Sequence, residues 1–169
     1  MWLRVLRFVA ALIVAAWTWY NLTPLYDRAL AAVASPLLKI DRRFEGAEVV
    51  AVDRMIRVGG FVVPYADIPA DQLTYNVILL AALFASNRGP LRGRNVRAFL
   101  LSLAIVVVLH VAGVLLSVES TYSVRMGAWS AERYGTVARY LWLYSEIFYR
   151  LVGMFGVVVL CWWSSMDRS

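Results

Sequence analysis

Three ionisable side chains fall inside long apolar runs: His110, Glu146 and Arg150. Lipid makes such groups costly, so an ionisable residue within a span points to function by default. Glu146 and Arg150 stand four residues apart with the acid first, the favourable order for a pair on one helical face. Counted from the cytoplasmic ends of their spans, His110 lies roughly 18 Å up, Arg150 about 20 Å and Asn76 on the order of 17 Å. Asn76, His110 and Arg150 are therefore expected to share one level, with Glu146 about one turn further out. Together these four form a candidate intramembrane polar cluster. Each also has a plainer reading, which we prefer. The ion pair eases insertion and fixes helix rotation, a neutral His110 bonds across helices, and the Asn76 amide joins helices.

Catalysis in such a setting needs a nucleophile and a base at one depth. Cys161 is the only cysteine and His110 the only histidine, and about 15 Å along the span direction is expected to separate them. A single cysteine excludes an intrachain disulfide and a cysteine-only metal site. A single histidine excludes a haem held by two imidazoles. No H-E-x-x-H, Walker or G-x-G-x-x-G sequence occurs, and no serine sits in a nucleophile elbow. Gly59-Gly60 reads as a hairpin turn, because no helix start follows it. No catalytic, cofactor-binding or metal-binding residue is assigned, and no cofactor is expected.

The elements that position these residues follow from hydropathy. Of 169 residues, 62% are apolar, above the 45–50% or so of soluble domains. The first run, Phe8 to about Leu25, ends in Trp17, Trp19 and Tyr20, an interfacial aromatic belt. Arg4 and Arg7 precede it as in a signal peptide, but no Ala-x-Ala site follows, so it reads as a retained anchor. Beyond Pro24, Leu25 to Leu38 keeps helical spacing, either as a kinked continuation or as an amphipathic surface segment. Residues 39–71 are rich in charge and β-branched side chains. Glu48–Val52, Met55–Val58 and Phe61–Tyr65 are strand candidates, with a hairpin turn at Gly59-Gly60 between the last two, and Asp67, Pro69 and Asp71 break the pattern. Further spans are expected at about 72–87, 98–118 and 140–163. The second is short for a hydrocarbon core of roughly 30 Å. A polar loop separates the last two.

This is a membrane α-helical fold class: four transmembrane helices with a small extracytoplasmic β-meander between spans 1 and 2. Charge sets its orientation. Segments 1–7, 88–97 and 164–169 hold seven arginines against Asp167 alone, while 23–71 and 118–139 balance nine basic residues with nine acids. The positive-inside rule then places both termini in the cytoplasm and residues 39–71 outside. The arginines flank spans without interleaved aromatics, so no nucleic-acid partner is expected. Arg88 to Arg97 are read as topology signal in preference to a site for anionic lipid headgroups.

The layout resembles that of the exosortase H-associated membrane proteins, small multi-pass proteins found with bacterial protein-sorting systems. The shared features are a first span ending in W-x-W-Y before Pro24, an outer β segment closing on Tyr75, the arginine-flanked linker, and L-H-V in the third span. The resemblance implies an inner-membrane accessory to an enzyme that sorts C-terminally tagged surface proteins. It carries over no functional residue. The enzymes themselves need Cys, Arg and His together near the outer side, and Cys161 lies towards the opposite end of its span. The reading is therefore a non-catalytic accessory or assembly protein of a bacterial inner membrane. Its expected partners are the lipid bilayer and a membrane or extracytoplasmic protein. The alternatives are a small transporter or channel subunit using the His110/Arg150 level, and an intramembrane enzyme.

Overall fold

In the computed structural model the first apolar run is one unbroken helix, α1, Trp2–Leu38, about 55 Å long at 1.5 Å per residue. It passes through Pro24 and Pro36 without ending. Near Pro24, Thr23 Oγ1 and Asn21 Nδ2 donate to the carbonyls of Trp19 and Trp17, each at 2.7 Å, so side chains add bonds where the ring removes one. Of the two readings for residues 25–38, the continued helix is the one found. The structure describes residues 2–87 and 90–166. Arg88, Asp167 and Arg168, which carry part of the charge asymmetry, lie outside them.

A 3₁₀ turn at Arg42–Phe44 leads into a three-stranded antiparallel meander of β1 (Glu48–Val52), β2 (Met55–Gly59) and β3 (Ala66–Pro69), in that order. Two strands are as expected, joined by a tight turn at Asp53-Arg54, both at positive φ (47° and 64°), the geometry that suits a two-residue hairpin. The expected hairpin turn at Gly59-Gly60 and the third strand need correction, because Gly59 ends β2 and a longer loop follows it. Phe61–Tyr65 is a connecting loop, and the third strand is Ala66–Pro69, the residues read as pattern breakers. Asp67 tolerates the strand because it lies on the solvent face opposite Arg57, bonded at 2.7 Å. Pro69 ends an edge strand, where a missing N–H is tolerated.

After the sheet come α2 (Ala70–Thr74) and α3 (Asn76–Ala85), separated only at Tyr75. Next are α4 (Gly93–Val124), α5 (Ala128–Arg133) and α6 (Thr136–Phe148). A π-helical turn, Tyr149–Gly153, joins α6 to α7 (Met154–Ser165). The expected polar loop between the last two spans is thus mostly helix. α4 runs six residues past Val118, because Glu119, Ser120 and Ser123 are buried rather than solvated. Among the described residues, three helical stretches are long and apolar enough to cross a membrane: Trp2–Leu38, Gly93–Val124 and Thr136–Ser165. Ala70–Ala85 is a shorter apolar helix.

Among the described residues, two apolar clusters hold the molecule together. The larger joins sheet to bundle through Phe44, Ile56, Val58, Ile68, Leu73, Val118 and Tyr122. The Tyr122 hydroxyl is shared between the carbonyls of Val58 (2.8 Å) and Pro64 (2.6 Å), and so ties the 61–65 loop to α4. The smaller cluster, Leu80, Phe84, Val106 and Val158, closes the bundle at its other end. Polar side chains sit between and above them.

Candidate functional site

His110 projects from the middle of α4 and is fully buried. Its Nδ1 lies 2.7 Å from the Tyr26 hydroxyl of α1, and its Nε2 lies 2.6 Å from Asn76 Oδ1 of α3. Asn76 Nδ2 in turn donates to the Met154 carbonyl of α7 at 3.1 Å. One proton assignment satisfies the whole chain: Tyr26 donates to Nδ1, Nε2–H donates to Asn76, and the amide donates to Met154. Four helices are tied through a neutral imidazole.

Arg150 is on a different level, which corrects the expected arrangement. Its guanidinium bonds Glu146 (Nε–Oε1 2.9 Å), Gln72 (3.2 Å) and Ser117 (3.3 Å). Ser117 stands seven residues beyond His110 on α4, about 10 Å towards the sheet. Depth counting places the backbone, whereas the long Arg150 side chain leans, as helical side chains do, towards the N-terminal end of its own helix and carries the guanidinium to Glu146, Gln72 and Ser117. Arg150 itself stands in the π-helical turn Tyr149–Gly153. So the structure joins Asn76 to His110 and Glu146 to Arg150, and keeps the two pairs apart. The turn also seats Tyr149, whose hydroxyl donates to the Leu109 carbonyl at 2.9 Å.

A third polar group, unforeseen in the sequence, lies at the sheet end. Arg43 bonds Asp41 (Nε–Oδ1 3.0 Å) and Glu119 (3.1 Å), and its guanidinium sits 4.1 Å from the Tyr134 ring centroid. Tyr134 donates its hydroxyl to Glu119 at 2.7 Å. The hydrogen bond from the Arg43 side chain, working against burial, holds the Asp41 carboxyl below its ordinary 3.8. Burial, with the bond to Glu119, pushes the Tyr134 phenol up. A depressed carboxyl stabilises the fold above its unfolded pKa and stops doing so as pH falls through the folded value. Asp41→Asn should therefore melt about 1–3 °C below wild type at pH 5–7, the scale of a part-exposed pair. That gap should close below about pH 4. A gap independent of pH would mean that Asp41 contributes nothing through its charge.

No family model, curated protein or solved structure matches this chain. What the clusters can do is read from their own geometry. Cys161 packs against the small apolar cluster, which does not include His110. Among the described residues no group of three or more His, Cys, Asp or Glu side chains is placed to hold a metal ion. Asn76, His110 and Arg150 bond groups on neighbouring helices, and Glu146 bonds Arg150 one turn along its own helix. Sequence reasoning missed Tyr26, Gln72, Ser117, Arg43, Glu119 and Tyr134. Ser117 was discoverable, since Gly113, Ser117 and Ser120 continue a small-residue stripe along α4. Asp27, also missed, is buried on α1, and its carboxylate accepts no hydrogen bond among the described residues.

Proposed function

We propose that this chain is a four-span, non-catalytic accessory or assembly protein of a bacterial inner membrane, serving a protein-sorting system of the exosortase type. Both termini lie in the cytoplasm, and the sheet stands outside to meet a membrane or extracytoplasmic partner. The observation that carries this reading is the closure of the polar network. His110, Asn76, Glu146 and Arg150 bond one another or other helices, and so act as interhelical ties. Ala70–Ala85 is the second span. Its 16 residues cover about 24 Å, less than the core, and local bilayer thinning offsets the difference. Its packing on α1, α4 and α7 supports that place in the bundle. The apolar layer of Leu80, Phe84, Val106 and Val158 weighs against a polar path through the bundle. The Cys161 environment weighs against a thiol–imidazole pair.

Loss of the protein should stop processing of C-terminally tagged surface proteins while the sorting enzyme itself persists. His110→Gln should cost about 1–3 kcal/mol, since Tyr26 and Asn76 each lose a partner. It should lower the amount of protein but leave processing per molecule unchanged. A His110→Gln protein that accumulates normally yet supports less than about a tenth of the processing would overturn the non-catalytic reading.

A further inference from the structure

Between α1 and α6 the bundle is open on one side. Both helices pack on α4, far more than on each other. The gap is a groove of about 420 Å³, walled by Leu37 and Leu38 of α1, Ala112, Leu115 and Leu116 of α4, and Trp142 of α6. Ala112, Leu115, Leu116 and Glu119 recur at helical spacing, so the groove follows one stripe of α4 for about 10 Å. Asp41 and Glu119 line its sheet end. A groove parallel to a spanning helix, apolar along its walls and charged where that helix leaves the bilayer, has the form of a lipid: chain below, headgroup above.

The charges at that end select the headgroup. Asp41, Glu119 and Arg43 sum to one negative charge when all are ionised. Asp41 and Arg43 keep 34% and 26% of their side chains exposed, side by side. Arg43 engages its partners through Nε and Nη2, and Nη1 makes none of those bonds. A half-buried carboxylate with an open edge beside a guanidinium complements an ammonium joined to a phosphate. We propose that the groove binds one acyl chain of an aminophospholipid, phosphatidylethanolamine, with its ammonium at Asp41 and its phosphate at Arg43. A partner helix is the poorer occupant, because the stretch Ala112 to Glu119 of α4 gives too short a wall for helix packing.

The inference rests on the membrane reading above, which topology reporters test separately. The decisive experiment is native mass spectrometry of the detergent-solubilised full chain, equilibrated with phosphatidylethanolamine or phosphatidylglycerol at equal concentration. One phosphatidylethanolamine per chain should survive activation that strips phosphatidylglycerol, with at least a tenfold difference in occupancy. Ala112→Phe, which fills the groove, should remove the adduct, and Asp41→Asn should reduce the preference several-fold. Equal retention of the two lipids by wild type would overturn the proposal, whether or not the variants fold. So would an adduct undiminished in a folded Ala112→Phe protein.

Discussion

Arg150→Gln and Glu146→Gln should each sharply reduce the yield of folded protein, and the double variant should recover part of the loss. Glu146 is 7% exposed, and the Arg150 side chain 30%. Breaking a buried pair typically costs 3–5 kcal/mol, because the survivor stays charged without a partner. Partial exposure of Arg150 lowers the expectation to about 2–3 kcal/mol here. Arg150→Gln should be the worse of the two. It leaves Glu146 buried and also releases Gln72 and Ser117, which join α2 and α4 to the pair. Folded yield by size-exclusion profile and thermal melting in detergent read the result. Single variants with wild-type yield and melting would remove the pair from the structural account. An Arg150→Gln protein of normal yield but no function would make Arg150 a contact for a partner or ligand.

Gly113→Leu should abolish folding, and Gly113→Ala should cost about 1–3 kcal/mol by overpacking. A Cβ at Gly113 would lie 2.5 Å from the Tyr149 ring, which is itself buried and bonded to Leu109. The ring cannot swing aside without losing that bond. Tyr149→Leu in the Gly113→Ala background should therefore recover stability, while Tyr149→Phe alone should cost only about 0.5–1.5 kcal/mol. A Gly113→Leu protein that accumulates and melts like wild type would contradict the close approach of α4 to the π-helical turn.

These two sites divide what the sequence reveals from what it hides. Glu146–Arg150 is visible because an i, i+4 pair is local to one helix. The Asn76–His110 contact follows from depth counted along regular helices. The level of the Arg150 guanidinium does not, since counting locates a Cα and not the end of a long side chain that leans towards the N-terminus of its helix. The β-meander is legible where alternation is clean, as in Glu48–Val52. It is not legible at Gly59-Gly60, where a glycine pair reads as a tight turn but Gly59 pairs with Glu48 as the end of β2 and a longer loop follows. Asp67 and Pro69 look like breakers until Arg57 is placed opposite and the strand is seen to be an edge. Glu119 suggests a loop because its partners, Arg43 and Tyr134, come from other stretches of chain.

The topology is the claim on which the rest depends, and paired reporter fusions test it most directly. A reporter active only outside the membrane and one active only in the cytoplasm are fused in turn at residue 60 and at the C-terminus. The four-span account expects the outside reporter to be active at residue 60 and silent at the C-terminus, with the cytoplasmic reporter giving the reverse. The same signal at both positions would mean an even number of crossings after the sheet where the account requires three, and would contradict it.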